Sequence, residues 1–364
     1  MRLDLYLARR FLAAFAMVFA IFFLLYLLLD MVEQIRRFDS AVLGLRGVLQ
    51  MTLLNTPAGI YEIMPLITIL AALVLFVGLA RSSELVVVRA AGQSALRSLM
   101  APLGMAVGIG VVAVALLNPI VAATSQQYEL RVAQLRGSGQ VFSISREGLW
   151  LRQGGADGQV VIRAARANLD GTRLFDVSFL GFAPDGAPAY RILADEAELI
   201  PGAWRLSTVK HWPLNDTANP ERAATTSDGH LLPSDLTQEQ IRDSFGTPSA
   251  IAIWDLPAFI ARLEEAGFSA RTHRAWFQQE MSLPVMLVAM VMIGAAFTMR
   301  QSRLGRTGLM VLYAILLAFS IYFIRNFARI MSENGQIPIA LAVWAPPVAA
   351  ILLALGLLLH LEDG

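Results

Sequence analysis

Six long apolar stretches run along the chain, three before a polar central block and three after it. The first uncharged run is Phe11 to Leu29, followed by Ala58 to Ala80 and Leu99 to Ala123; beyond the central block come Met281 to Met299, Gly308 to Ile324 and Pro338 to Leu359. A helix rises about 1.5 Å per residue, so roughly 20 apolar residues cross a hydrocarbon core of about 30 Å. Only helices and closed barrels span lipid without orphaning backbone groups. The runs show no apolar–polar alternation, which excludes a barrel. The pattern predicts a polytopic α-helical membrane protein with six transmembrane helices and one inserted polar domain.

The first run is longer than the roughly 7–15 residues of a signal-peptide core, and no small-residue cleavage site closes it before Asp30. It reads as a retained helix. Arginines then set the orientation. Arg2, Arg9, Arg10, Arg81, Arg89, Arg97, Arg300, Arg303 and Arg306 fall on one side, and Arg36, Arg37, Arg46, Arg325 and Arg329 on the other. Nine against five favours cytoplasmic termini under the positive-inside rule. Three crossings then place the central block outside, in a periplasm if the cell is Gram-negative.

The third helix is expected to run past Asn118-Pro119 to Arg136 and stop at Gly137-Ser138-Gly139. Beyond it, four segments read as strands: Val160 to Ala164, Phe175 to Phe182, Tyr190 to Ala194 and Trp204 to Trp212, short and rich in β-branched or aromatic residues. Gly154 to Gly158, Leu169-Asp170-Gly171, Pro184-Asp185-Gly186 and Pro201-Gly202 supply turns. Such spacing suggests a sandwich or an open barrel. Asn215 to Ser249 is poor in large apolar residues and reads as loop. A short helix, Leu256 to Ala266, comes next, with Asp255 as its cap, Pro257 in its first turn and Gly267 at its end. The domains expected are 1–123 for helices 1 to 3, 124–270 for an all-β periplasmic domain, and 271–364 for helices 4 to 6.

Composition narrows the chemistry. Hydrophobic residues make up 56% of the chain and charged residues 16%, below the roughly 25% of soluble domains. The net charge of +1 implies no attraction to nucleic acid. The absence of cysteine removes disulfides, thiolate metal sites and cysteine catalysis. Lys210, the only lysine, is followed by His211, so no Gly-Lys-Ser/Thr loop can hold the phosphates of ATP. His211, His230, His273 and His360 have no metal-ligand spacing, and Asp195, Glu196 and Glu198 read as a solvated strand edge. No G-x-S-x-G elbow occurs. No catalytic residue, cofactor or metal is expected.

The connection between helices 2 and 3 runs Arg81-Ser82-Ser83-Glu84-Leu85-Val86-Val87-Val88-Arg89-Ala90-Ala91-Gly92. Ser82 or Ser83 can cap a short cytoplasmic helix over about 82–92, Glu84 complements its positive end, and Gly92 can end it. An apolar surface with one acid suits docking into a partner's groove. By local physics the same residues also fit a plain extension of helix 2, or a short strand.

The stretch Ser83 to Gly92 resembles the coupling-helix signature of the LptF/LptG permease family, the membrane subunits of the lipopolysaccharide exporter. Met31-Val32-Glu33-Gln34-Ile35-Arg36-Arg37 after helix 1 and the end Leu359-His360-Leu361-Glu362-Asp363-Gly364 are similar to family sequences too. The order of these motifs, the helix count and the length match over the whole chain, and the Glu-Leu-Val-Val form and the carboxy end point to the LptG branch. The resemblance implies an ABC exporter of the cell inner membrane that draws lipopolysaccharide from the outer leaflet. Its implied partners are an LptF-like permease subunit, an LptB-like ATPase dimer that hydrolyses the ATP, and an LptC-like single-helix protein. It implies a jellyroll-like periplasmic domain. It assigns Glu84 and Arg89 to ATPase coupling.

Lipid A carries phosphates, which arginine forks grip bidentately. Arg36 and Arg37 leave helix 1 at the outer surface and match a basic pair in LptG relatives. Interfacial anchoring by snorkelling suits them equally. Arg325 and Arg329, one turn apart, either line the cavity mouth or mark the interface; Arg325 joins Arg36 and Arg37 as a phosphate-contact candidate. The chain departs from relatives at Ala58, where some carry lysine, and at Asp30, which replaces a basic residue. The LptF paralogue is one alternative. An FtsX-like mechanotransmission protein is another, although six helices exceed its usual four. A membrane-embedded enzyme would need polar groups inside helices, and the helix cores hold almost none.

Overall fold

A computed structural model describes residues 2–38, 40–84, 94–136, 142–145, 148–155, 158–168, 172–215, 219–234, 236–237, 247–265, 269–299 and 307–362. The chain forms two compact units. One comprises Met1–Tyr128, Ser249–Trp254 and Arg274–Gly364; the other comprises Glu129–Pro248 and Asp255–His273.

Nine α-helices occur among the described residues. Those wholly or mainly in the first unit are α1 (Arg2–Arg37), α2 (Ser40–Glu62), α3 (Met64–Arg81), α4 (Ala95–Val112), α7 (Arg271–Thr298), α8 (Thr307–Glu333) and α9 (Ile339–Glu362); α5 (Asn118–Arg136) continues from α4 through a π-helical turn, Ala113–Leu117. Among the described residues six spans are long and apolar enough to cross a membrane, as the apolar runs require. α7 is the innermost, with 72% of its most apolar window buried against 17% for α1. The buried positions of α1, Leu7, Phe11, Ala14, Phe15 and Val18, form one stripe at helical spacing. Small residues let the helices approach closely. A Cβ on Gly110 of α4 would lie 2.5 Å from the Pro284 Cα of α7, and one on Gly294 of α7 2.9 Å from the Ala72 Cβ of α3.

Two features of this unit lie outside the sequence expectations. The second apolar run breaks at Ile63, next to Pro65 at the start of α3, and α2 extends back to Ser40 through a bend at Gly44, whose φ is 63°. Pro119 has no N–H for the Ala115 carbonyl one turn back. The Trp254 indole donates to that carbonyl instead at 3.3 Å, and Asn118 Oδ1 accepts the Ile253 N–H at 2.9 Å. Residues 249–254 are thereby fastened to the helix at its π-helical turn, a local geometry that recurs at functional sites.

The second unit is β-rich, as expected. Seven strands, β1 (Phe142–Ser145), β2 (Gly148–Gly155), β3 (Gly158–Ala167), β4 (Arg173–Phe182), β5 (Pro188–Ile200), β6 (Ala203–Pro213) and β7 (Thr225–Pro233), pair antiparallel in chain order. This order is a meander; the Greek-key crossovers of a jellyroll are absent among the described residues. α6 (Leu256–Glu265) comes after the sheet. The expectation of loop from Asn215 to Ser249 is corrected by β7, whose side chains are exposed at all but one position. Its backbone bonds to β6 hold it in place, so it needs no apolar pattern.

A crease crosses the sheet. Ala165, Asp176, Asp195, Thr208 and Asp228 are skipped in successive ladders, and Asp176 and Thr208 have φ of 54° and 53°. Side-chain alternation restarts there. Ile162 and Ala164 are buried before the crease and Ala167 after it; Trp204 and Leu206 before it and Val209 after it. One extra residue per strand thus keeps both halves of each strand facing one core, which strict alternation would forbid.

Candidate functional site

Three polar clusters occupy the helical unit. The first surrounds Glu84, just after α3. Tyr6 and Arg10 stand one helical turn apart on α1 and so share a face, with the Arg10 guanidinium 5.3 Å from the Tyr6 ring centre. Arg10 Nη1 donates to both oxygens of Glu84, at 2.7 and 2.8 Å. Tyr6 Oη donates to Oε2 at 2.8 Å and Ser82 Oγ to Oε1 at 2.7 Å. The Ser82 bond, with those from Tyr6 and Arg10, holds the Glu84 carboxyl below the ordinary carboxylate range. Ser83 turns the chain with φ at 59°, a left-handed conformation costing a non-glycine residue about 1–2 kcal/mol. Leu3, Leu7, Phe76, Leu79 and Ser98 line a small cleft beside the carboxylate. Arg89 lies outside the described residues.

The second cluster sits at the far end of α1. Asp30 is buried and accepts from Asn55 Nδ2 at 2.7 Å and from Gln34 Nε2 at 3.3 Å. Gln34 Nε2 also donates to Tyr128 Oη at 3.1 Å, and Arg37 Nη1 donates to that oxygen at 3.3 Å. Asp30 thus accepts hydrogen bonds from two amides, the condition for burying an acid. Arg36 and Arg37 are exposed in the last turn of α1, where the helix dipole favours cations.

The third cluster is not legible in the sequence. Glu280 of α7 is 3% exposed. It accepts a hydrogen bond from the Tyr61 hydroxyl of α2 and another from Asn118 Nδ2 of α5 at 3.2 Å. Arg325 of α8, 5% exposed, shares one cleft with Tyr61, Glu280, Trp276, Tyr322 and Arg329, and its Nε is buried without a hydrogen-bond partner. Arg329 lies 5.8 Å from the Trp276 ring centre and 3.6 Å from Glu333. Arg325 is thus buried beside an acid, and both groups lie one position outside the apolar runs that begin at Met281 and end at Ile324. Arg37 meets Tyr128 and Phe38, whereas Arg325 lies among Glu280, Tyr61 and Tyr322; the three phosphate-contact candidates therefore stand in two different environments.

In the β unit, the acidic run lies on the interior strand β5. Glu198 pairs with Arg173 and Arg205, each at 3.1 Å, and Glu196 lies 3.7 Å from Arg173. His211 and His230, on opposite sides of the crease, have ring centres 6.3 Å apart. Burial, with His230 beside it, pushes the His211 imidazole below its ordinary range.

Six apolar spans among the described residues and an inserted antiparallel β-domain define a polytopic helical membrane protein. The model of the lipopolysaccharide export system permease LptF/LptG matches residues 5–360, and the chain belongs to that family. It is 22% identical to the lipopolysaccharide export system permease protein LptG of Escherichia coli K12, over 92% of this chain and 91% of that protein. Its identity to LptG of Haemophilus influenzae is also 22%, over 99% of both.

Proposed function

We propose that this chain is the LptG-type permease subunit of an ATP-driven lipopolysaccharide exporter in the cell inner membrane. It takes lipopolysaccharide from the outer leaflet, while an LptB-like ATPase dimer hydrolyses the ATP. The observation that carries this reading is the family match over residues 5–360, with both of these relatives bearing the LptG name. An LptF-like permease subunit and an LptC-like single-helix protein complete the assembly. The arginine distribution supports cytoplasmic termini and a periplasmic β-domain. In this reading residues 83–92, with Glu84 and Arg89, dock on the ATPase. Arg36 and Arg37, exposed at the end of α1, meet substrate phosphates in the outer leaflet; Arg325, on α8 and buried, offers its unpartnered Nε to a group that enters its cleft.

Affinity purification in mild detergent, with mass spectrometry of proteins and lipids, tests this reading. The expected result is stoichiometric recovery of an ATPase subunit and a second permease of this family, with lipopolysaccharide. Recovery of an ATPase with a cell-wall hydrolase and no lipopolysaccharide would favour the mechanotransmission alternative.

A further inference from the structure

Ser249–Trp254 belongs to the helical unit, although the chain on either side of it belongs to the β-rich one. It carries no charge, reading Ser-Ala-Ile-Ala-Ile-Trp before Asp255. It starts in a 3-10 turn, Pro248–Ala250, and goes on without helix or strand. Its depth follows from its partners. Glu280 immediately precedes one apolar run and Arg325 immediately follows another, so the two mark one boundary of the hydrocarbon core, where ionisable residues are tolerated. Asn118 donates to Glu280 at 3.2 Å and so lies at that level, and its Oδ1 accepts the Ile253 N–H at 2.9 Å. Ala115, whose carbonyl accepts the Trp254 indole N–H at 3.3 Å, is three residues further into the run, about 4.5 Å at the helical rise. Non-helical backbone is tolerated at membrane depth only where protein groups satisfy it, as Asn118 does for Ile253.

The last two side chains of the segment point different ways. Ile253 is 2% exposed and Trp254 is 67% exposed; the other five tryptophans are buried or half-buried. An indole whose N–H is held by a helix carbonyl presents apolar ring to its surroundings. Val112, Leu116 and Ile120, around Ala115 on the helix, are also exposed. We propose that Ser249–Trp254 is a short re-entrant segment and that Trp254 is a lipid-contact site, its ring among acyl chains just beneath the headgroups. Tryptophan, with a polar tip and an apolar body, collects at this level of a bilayer. Helices in a membrane associate through small residues or polar groups. At this level the surface of Val112, Leu116, Ile120 and Trp254 offers neither, so lipid is the occupant. The inference rests on the membrane-spanning helices and is independent of the cargo the chain moves.

The chain has no cysteine, so Trp254→Cys takes a single nitroxide label. The labelled full chain is placed in nanodiscs of phosphatidylethanolamine and phosphatidylglycerol, alone and again with its permease partner and ATPase in cysteine-free form. Collisions of the label with oxygen, which concentrates in lipid, are compared with collisions with a water-soluble nickel chelate. Asp185→Cys, in the exposed turn between β4 and β5, gives the aqueous reference. The oxygen-to-nickel ratio at 254 is expected to exceed that at 185 by at least threefold in both preparations. A smaller ratio would place the ring in water and overturn the proposal. Low accessibility to both reagents, in either preparation, would show protein over the ring and overturn it in favour of a partner helix. Where the cysteine variant does not fold, the native chain and Trp254→Phe are compared in vesicles of the same lipids with and without brominated acyl chains. The emission that Trp254 contributes should fall by at least half with the brominated lipid; a smaller fall would overturn the proposal.

Discussion

Arginine at a helix end stands in two different environments in this chain, and burial separates them. Arg325 sits in a cleft beside the buried Glu280, where an ionisable group is expensive and functional by default. Arg36 and Arg37 face outward at the end of α1, with Arg37 steadied by Tyr128. Charge-assisted bonds to a phosphate contribute about 1.5–3 kcal/mol each, less where salt screens them. Replacing Arg36 and Arg37 together with Gln should therefore lower photocrosslinking of lipopolysaccharide to neighbouring positions by about tenfold, the equivalent of roughly 1.4 kcal/mol. Basal ATP hydrolysis should stay near the native rate; unchanged crosslinking would favour interfacial anchoring. The pair is legible because two adjacent arginines closing an apolar run stand out. Glu280 is not. It precedes the apolar run from Met281 and looks like an ordinary boundary acid, and its partners Tyr61 and Asn118 are 219 and 162 positions distant. Only the fold brings them together.

At the scale of elements, the close approach of α4 to α7 at Gly110 sets how tightly the innermost helix packs. Pro284 backbone opposes Gly110, so a Cβ there forces one helix to shift. Gly110→Ala should destabilise the helical unit by about 1–3 kcal/mol, the usual range for overpacking. Gly108→Ala, with nothing within 4 Å of its added Cβ, should gain about 0.5–1 kcal/mol from helix propensity. Thermal melting in detergent compares the two; equal melting temperatures would contradict the packing argument. Spans are readable to within a few residues because lipid imposes a length. Strands are less so. Sequence pattern places β4 nearly end to end, but the crease at Asp176 and Thr208 resets the period-two pattern on which register depends. β7 exposes nearly every side chain, leaving no pattern to find. The stretch before Ala58 reads as loop because Gly44, Arg46, Gly47 and Pro57 interrupt it, yet it folds as α2.

For the whole molecule, the chain offers a scaffold and lacks a P-loop of its own by sequence. Lys210, the only lysine, lies in β6, so in the exporter reading hydrolysis comes from a partner and reaches the outer surface through helices. The family match over residues 5–360 supplies the cargo class. The most direct test reconstitutes the chain with its partner permease and ATPase in vesicles loaded with lipopolysaccharide, and follows transfer of lipopolysaccharide to a soluble acceptor protein by site-specific photocrosslinking. Transfer is expected to require ATP, to require this chain, and to fall with the Arg36 and Arg37 double replacement. ATP hydrolysis by the complete complex with no ATP-dependent transfer of lipopolysaccharide would contradict the exporter reading.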